Sequence, residues 1–304
     1  YGLILCHKDI FKITRVNHSQ NVIFAIALFA IAVWMSNRAL SPVLRSDTGL
    51  YHLAAVQWIT RYPIVKGLGN LHGRLAFNNS SFLFDALVDV GWWENQSSHI
   101  ANSFLLLMLL VQLITDIHRF FSIKEQPFQV ALFSLLLLPI VIPEVSNGDA
   151  TSLSPDLPIF VISIITARLL LELLHSDWKD SQQKEFQIFS IIALIVLGIS
   201  IKLSFFVFGV SIGFLAVFTS YWSMIRLRRF ADLRRLFPLM LLVGSYLIVW
   251  MLRGILLSGY VAYPSTIGAF PVLWKVPRSV ALSDAKWIFS WGRKPGEPWV
   301  DVLA

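Results

Sequence analysis

The sequence has a single cysteine, Cys6, and little charge, with 14% Asp, Glu, Lys or Arg among 304 residues. One cysteine excludes an intrachain disulfide and any cysteine-built metal site. The seven histidines are scattered, with no H-x-x-x-H or similar ligand spacing, and neither a Walker loop nor a Rossmann fingerprint is present. Internal repeats and low-complexity tracts are lacking. So is a recognisable leader, because no basic segment, short apolar core and small-residue cleavage site follow one another at the start. Scarcity of charge is the most restrictive of these absences, since soluble domains carry about a quarter charged residues.

Apolar residues fill the space instead: 56% of the chain is hydrophobic and the mean hydropathy is +0.67. The solvent for most of this chain is lipid. The spans expected from the apolar runs are residues 21 to 37, 100 to 117, 128 to 143, 157 to 174, 186 to 201, 203 to 220 and 236 to 253, each close to the length that crosses hydrocarbon. Backbone groups there have no water to bond, so each span must be a helix. The expected fold is all-α, a polytopic membrane helical bundle of about seven transmembrane helices, forming one membrane-embedded unit over residues 1–304. The chain opens at Tyr1 rather than Met and stops just after an outward-facing segment, so a fragment of a longer protein is expected. The net charge of +7 sits beside the spans, as orientation signals and lipid headgroup contacts do. Membrane lipids are the expected partner, and nucleic acid is not.

Basic residues in short loops set the orientation. Arg226, Arg228, Arg229, Arg234 and Arg235 crowd one connection, whereas the stretch 144–156 has no Lys or Arg. The first is read as cytoplasmic and the second as outside. Lys8, Lys12 and Arg15 then place the N-terminus inside, and Arg119, Lys124, Lys179 and Lys184 keep the alternation. Residues 186–220 as one helix would be about 52 Å long at 1.5 Å per residue, so they must form two spans with a turn near Ser200 to Ser204. Lys202 is thereby held on the outer side. The other outer pieces are loop 1 (38–99), the 144–156 loop and the segment 254–304. Within loop 1, Leu50, Leu53, Ala54 and Trp58 recur at helical spacing. They predict an amphipathic surface helix over 47–61. Trp92, Trp93, Trp274, Trp287, Trp291 and Trp299 suit an interfacial belt.

Loop 1 carries most of the unusual chemistry. Asp47 lies about ten residues beyond the first span, where a carboxylate can take a proton from an acceptor hydroxyl or cap the helix that follows. Gly67-Leu-Gly-Asn-Leu-His72-Gly-Arg74 alternates glycine with polar and basic residues. Lys66, His72 and Arg74 there suit a phosphate or pyrophosphate, or else solvate a tight turn. Asp149 and Asp156 can bind a divalent ion or orient sugar hydroxyls, while Asp156 can equally cap the fourth span. Lys202, near membrane depth, reads as counter-ion to a lipid phosphate or as a snorkelling side chain. Arg168 and Glu172 are spaced to pair at i and i+4. Tyr260 and Tyr263 offer stacking faces for sugar rings.

An inward N-terminus, a long first outer loop with Asp47 soon after the first span, and a surface helix in that loop together resemble the GT-C superfamily of membrane glycosyltransferases. More narrowly, Asp47-Thr-Gly-Leu-Tyr-His52, the 67–74 motif and Ser258-Gly-Tyr260 with Tyr263-Pro-Ser265 are similar to an uncharacterised family of bacterial, notably cyanobacterial, polytopic proteins. The GT-C resemblance implies sugar transfer from a polyprenyl-phosphate carrier at the outer face of a bacterial inner membrane. It implies Asp47 as the catalytic carboxylate, with Arg74, Lys202 or Arg253 facing the lipid phosphate. His52, Lys66 and His72 join these as candidate phosphate ligands from the residues themselves, and Asp149, Asp156, Tyr260 and Tyr263 are candidate sugar or acceptor contacts. Many members carry a second acid beside the first in this loop, and here Asp47 stands alone, so a divalent metal remains optional. A polysaccharide polymerase or ligase, a transporter of lipid-linked glycans and a non-catalytic membrane subunit are the alternatives.

Overall fold

A computed structural model describes residues 18–176, 178, 181–226 and 237–294. The orientation charges Lys8, Lys12, Arg15, Lys179, Arg228, Arg229, Arg234 and Arg235, together with Cys6 and Trp299, lie outside the described residues. The helices are α1 (His18–Ala39), α2 (Leu53–Arg61), α3 (Ser81–Leu87), α4 (Ser97–His118), α5 (Phe128–Ser146), α6 (Asp156–His175), α7 (Ser181–Ile201), α8 (Phe206–Arg226), α9 (Phe237–Ser258) and α10 (Arg278–Trp291). Among the described residues no β-strand forms, only an isolated bridge between Tyr260 and Ala269.

Among the described residues seven segments are long and apolar enough to cross a membrane, within α1, α4 with the turn Arg119–Ile123 that follows it, α5, α6, α7, α8 with its preceding turn, and α9. The protein is an all-α, multi-pass membrane protein. The expected hairpin is present: α7 ends at Ile201, a tight turn covers Leu203–Phe205, and α8 begins at Phe206. The spans associate mainly with their neighbours, α1 on α4, α4 on α5, α6 on α7, α7 on α8 and α7 on α9. One core of Met35, Leu106, Leu110, Val141, Leu157 and Val161 joins α1, α4, α5 and α6. A second, with Leu173, Ile188, Ile191 and Ala216, joins α6, α7 and α8.

The expected ion pair Arg168–Glu172 forms, and the sequence reading missed its main partner. Arg168 donates from Nε and Nη2 to the two oxygens of Asp116 at 2.9 and 2.7 Å. Asp116 also accepts from Gln112, Gln126 and Ser134, and Gln187 donates to Glu172. Low dielectric makes an unpaired charge costly. Here each charge is paired, so the network ties α4, α5, α6 and α7 together near the end away from the first loop.

The first loop folds as a cap on the bundle. Residues 46–61 are helical throughout, with a wider π turn at Thr48–His52 leading into α2. The face they bury is Thr48, His52, Ala55 and Val56, while Leu50 is exposed. Of the expected stripe, Leu53, Ala54 and Trp58 pack against this core while partly buried, and only Leu50 falls outside it. The π turn re-phases the helix by adding a residue to the turn, and α2 packs on Phe82, Ala86, Ala101, Leu153 and Leu257 as well as facing outward.

Candidate functional site

At the loop-1 end of the bundle, the start of the 46–61 helix is tied to the connection between α5 and α6. The Leu153 amide donates to Thr48 Oγ1 at 3.2 Å, and Thr151 Oγ1 donates to the Pro42 carbonyl at 3.2 Å. Between these pieces lies an open hollow of about 360 Å³ lined by Arg45, Asp47, Glu144, Asp149 and Asp156, with Leu157 and Phe160 as an apolar wall. Three carboxylates singled out from sequence, far apart along the chain, thus share one cavity.

Asp47 makes no capping hydrogen bond and its backbone is helical, at φ −62° and ψ −27°. Its side chain is 51% exposed, with Oδ1 3.9 Å from Arg74 Nη1. The capping role is therefore not the one it plays. Arg74 is held by two rings, its guanidinium 4.8 Å from the Tyr51 centroid and 4.4 Å from that of Trp287. Loss of water, and then the Asp47 charge, push the Tyr51 phenol above its ordinary pKa, so it stays a neutral ring against the cation. A smaller cavity of about 170 Å³ lies on the other side of Arg74, lined also by Phe77, Asp284 and Trp287.

Asp149 and Asp156 have no basic neighbours along the chain but do have them in space. Arg45 grips Asp149 with two bonds of 2.8 and 2.6 Å, and the hydrogen bond, opposing its burial, raises the Arg45 pKa. Lys202, delivered by the α7–α8 turn, pairs with Asp156 at the start of α6. Arg45 is thus the one cation among the residues that line the hollow, while Lys202 and Arg74 each face one of its acids from outside the lining. Glu144, at the end of α5, also lines it and was not anticipated. The signal was there, since an acid closing an otherwise apolar run is unusual.

Several expected ligand groups are occupied elsewhere. His52 is 2% exposed, wedged against Tyr51 and Phe82. Burial depresses its pKa to about 4, against the opposing pull of Asp47 and Asp156. A neutral ring sealed from solvent offers phosphate no charge. Lys66 lies 5.2 Å from the centroid of Trp274, and His72 Nδ1 accepts the Arg74 amide at 3.2 Å. The glycine motif seats protein rather than an anion. Gly67, at φ 70°, donates its amide to Leu256 O at 2.8 Å. A Cβ on Gly69 would stand 2.6 Å from Ala76 Cβ and 2.9 Å from Val276 Cγ2. Tyr260 is 1% exposed and its hydroxyl donates to Val276 O at 3.0 Å, so it presents no stacking face. Tyr263 donates to Asp284 Oδ2 at 2.5 Å, and burial followed by that bond pushes its pKa up. Arg253 donates to Asn78 Oδ1 at 2.6 Å and is not among the residues lining the hollow.

Among the described residues, no three His, Cys, Asp or Glu side chains are grouped as metal ligands would be. The arrangement offers one carboxylate open to solvent beside an aromatic-clamped guanidinium, two further acids with fixed cations, and an apolar wall continuous with a membrane span. No curated protein and no solved structure matches the chain. A family model described as a domain of unknown function, DUF8201, matches residues 3–302. The chain belongs to the DUF8201 family.

Proposed function

We propose that this protein is a membrane glycosyltransferase that moves a sugar from a polyprenyl-phosphate carrier to an acceptor at the outer face of a bacterial inner membrane, with its N-terminus in the cytoplasm. The observation that carries this reading is Asp47: uncapped, half exposed, lining an open hollow and 3.9 Å from the clamped Arg74. In the step proposed, the acceptor hydroxyl gives its proton to Asp47 while its oxygen bonds the anomeric carbon. The bond from that carbon to the phosphate oxygen breaks, and the phosphate leaves with the electron pair. Arg74, with Lys202 beyond Asp156, faces the charge that develops, a role that low local dielectric strengthens. Asp156, Glu144 and Asp149 accept hydrogen bonds from sugar hydroxyls. The apolar wall of Leu157 and Phe160 lets a carrier's first isoprene units approach from the lipid.

General-base catalysis is worth about 10² to 10⁴ in rate. Asp47→Asn should therefore lower transfer by at least about 100-fold while leaving membrane insertion and melting temperature unchanged. The assay is release of labelled sugar from a lipid-phosphate donor in vesicles. Unchanged turnover in that variant removes Asp47 from the mechanism.

A further inference from the structure

Away from the hollow, on the other flank of the bundle, an apolar groove of about 380 Å³ opens between α7 and α9. Phe189, Ala193, Val196 and Leu197 line it from α7, and Tyr246 and Val249 from α9. From Phe189 to Leu197 it runs about 12 Å at the helical rise, close to half of a hydrocarbon core of about 30 Å. Both walls are membrane spans, so the groove is suited to a hydrocarbon chain.

The end of the groove toward the first loop is polar. Tyr246 OH bonds Ser200 Oγ at 2.7 Å and Ser80 Oγ at 2.9 Å, and Trp250 Nε1 donates to Asn78 O at 2.7 Å. Arg253 follows Val249 by four residues and Tyr246 by seven, which places it on the same face of α9, above the groove. It is partly exposed, and Asn78 Oδ1 is its hydrogen-bond acceptor. No carboxylate lies within salt-bridge distance of it among the described residues, whereas Arg45, Arg74, Arg168 and Lys202 each have one. A guanidinium has five donors in a planar fork suited to phosphate. A span arginine with no carboxylate beside it and donors to spare is suited to an anion from outside the chain.

We infer that this groove is a seat for an anionic bilayer phospholipid, with one acyl chain between α7 and α9 and the phosphate on Arg253. The site shares no lining residue with the hollow. It is therefore a second lipid site, separate from the proposed donor site and independent of whether transfer occurs. The phosphate end meets Arg253, and the chain end meets Phe189, Val196 and Leu197. A bilayer lipid is favoured over a carrier because Arg253 bonds Asn78 and stands apart from Asp47, where a carrier's phosphate would have to react.

The test uses the detergent-purified full chain and measures binding of phosphatidylglycerol and phosphatidylcholine by native mass spectrometry. One well-placed cation at a headgroup gives a preference of about fivefold or more for the anionic lipid. Arg253→Gln keeps a partner for Asn78 and should abolish that preference. Ala193→Trp fills the groove and should reduce retention of both lipids. Equal binding of the two lipids by the unmodified protein overturns the inference, as does an undiminished preference in Arg253→Gln or undiminished retention in Ala193→Trp. If undecaprenyl phosphate displaces phosphatidylglycerol at equimolar concentration, and does so only when Arg253 is present, the site belongs to the carrier and the bilayer-lipid assignment falls. Loss of transfer in Asp47→Asn bears on none of these outcomes.

Discussion

His52 and Asp85 are both deprived of water, and the same cause moves their titrations in opposite senses. Among the described residues neither His52 ring nitrogen has a hydrogen-bond partner, nor does either oxygen of Asp85, which is 1% exposed. For His52 the folded pKa of about 4 lies below the ordinary 6.5. Between those values only the unfolded chain takes the proton, so stability is fully present above pH 6.5 and falls as pH drops toward 4. The change amounts to roughly 3 kcal/mol at 1.36 kcal/mol per pKa unit. His52→Asn should flatten that part of a melting-temperature profile recorded from pH 4 to 7. Burial, with Asp89 adding to it, raises the Asp85 pKa well above its ordinary value. Its stabilising share is lost as pH rises past the unfolded value, so Asp85→Asn should raise the melting temperature more at pH 8 than at pH 5. A rise that does not depend on pH would remove the ionisation argument. Asp47 was legible because it stands alone after the first span. The fate of His52 was not, since sequence shows a histidine in a polar motif and not the Tyr51 and Phe82 rings around it.

At the scale of elements, the spans were readable and their inner contacts were not. A run of apolar residues fixes a helix because the bilayer leaves backbone groups no other partner. The partner of Arg168, by contrast, lies 52 residues away on α4, and no local spacing points to Asp116. Arg168→Met would leave that carboxylate buried without its cation, at a cost of about 3–5 kcal/mol. Pairing the change with Asp116→Asn should restore much of the loss, as read from melting in detergent. The 67–74 motif shows the converse: glycines that suggested an anion cradle make room for the segment after α9. Gly69→Ala should loosen that seat at a cost of about 1–3 kcal/mol. Limited proteolysis between α9 and α10 measures it, and cleavage at the unmodified rate would mean the segment is held by other contacts.

For the molecule as a whole, the fold gathers at one end what the sequence scatters. Arg45 and Asp47 come from the first loop, Glu144 from the end of α5, Asp149 and Asp156 from the next connection, and Lys202 from the α7–α8 hairpin. Alternating loop charges were enough to put these pieces on one face. Which of them touch was decided by packing: Thr48 against Leu153, and α2 against Phe82 and Leu257. The GT-C resemblance grouped Arg253 with the phosphate-facing residues, whereas in the structure it bonds Asn78 and does not line the hollow. The most direct measurement of the central claim is sugar transfer from a lipid-phosphate donor by vesicles holding the unmodified protein or Asp47→Asn in equal amounts. The account predicts turnover by the first and a loss of at least about 100-fold in the second. Equal rates in the two, or no transfer by the unmodified protein with any lipid-phosphate sugar, would contradict it.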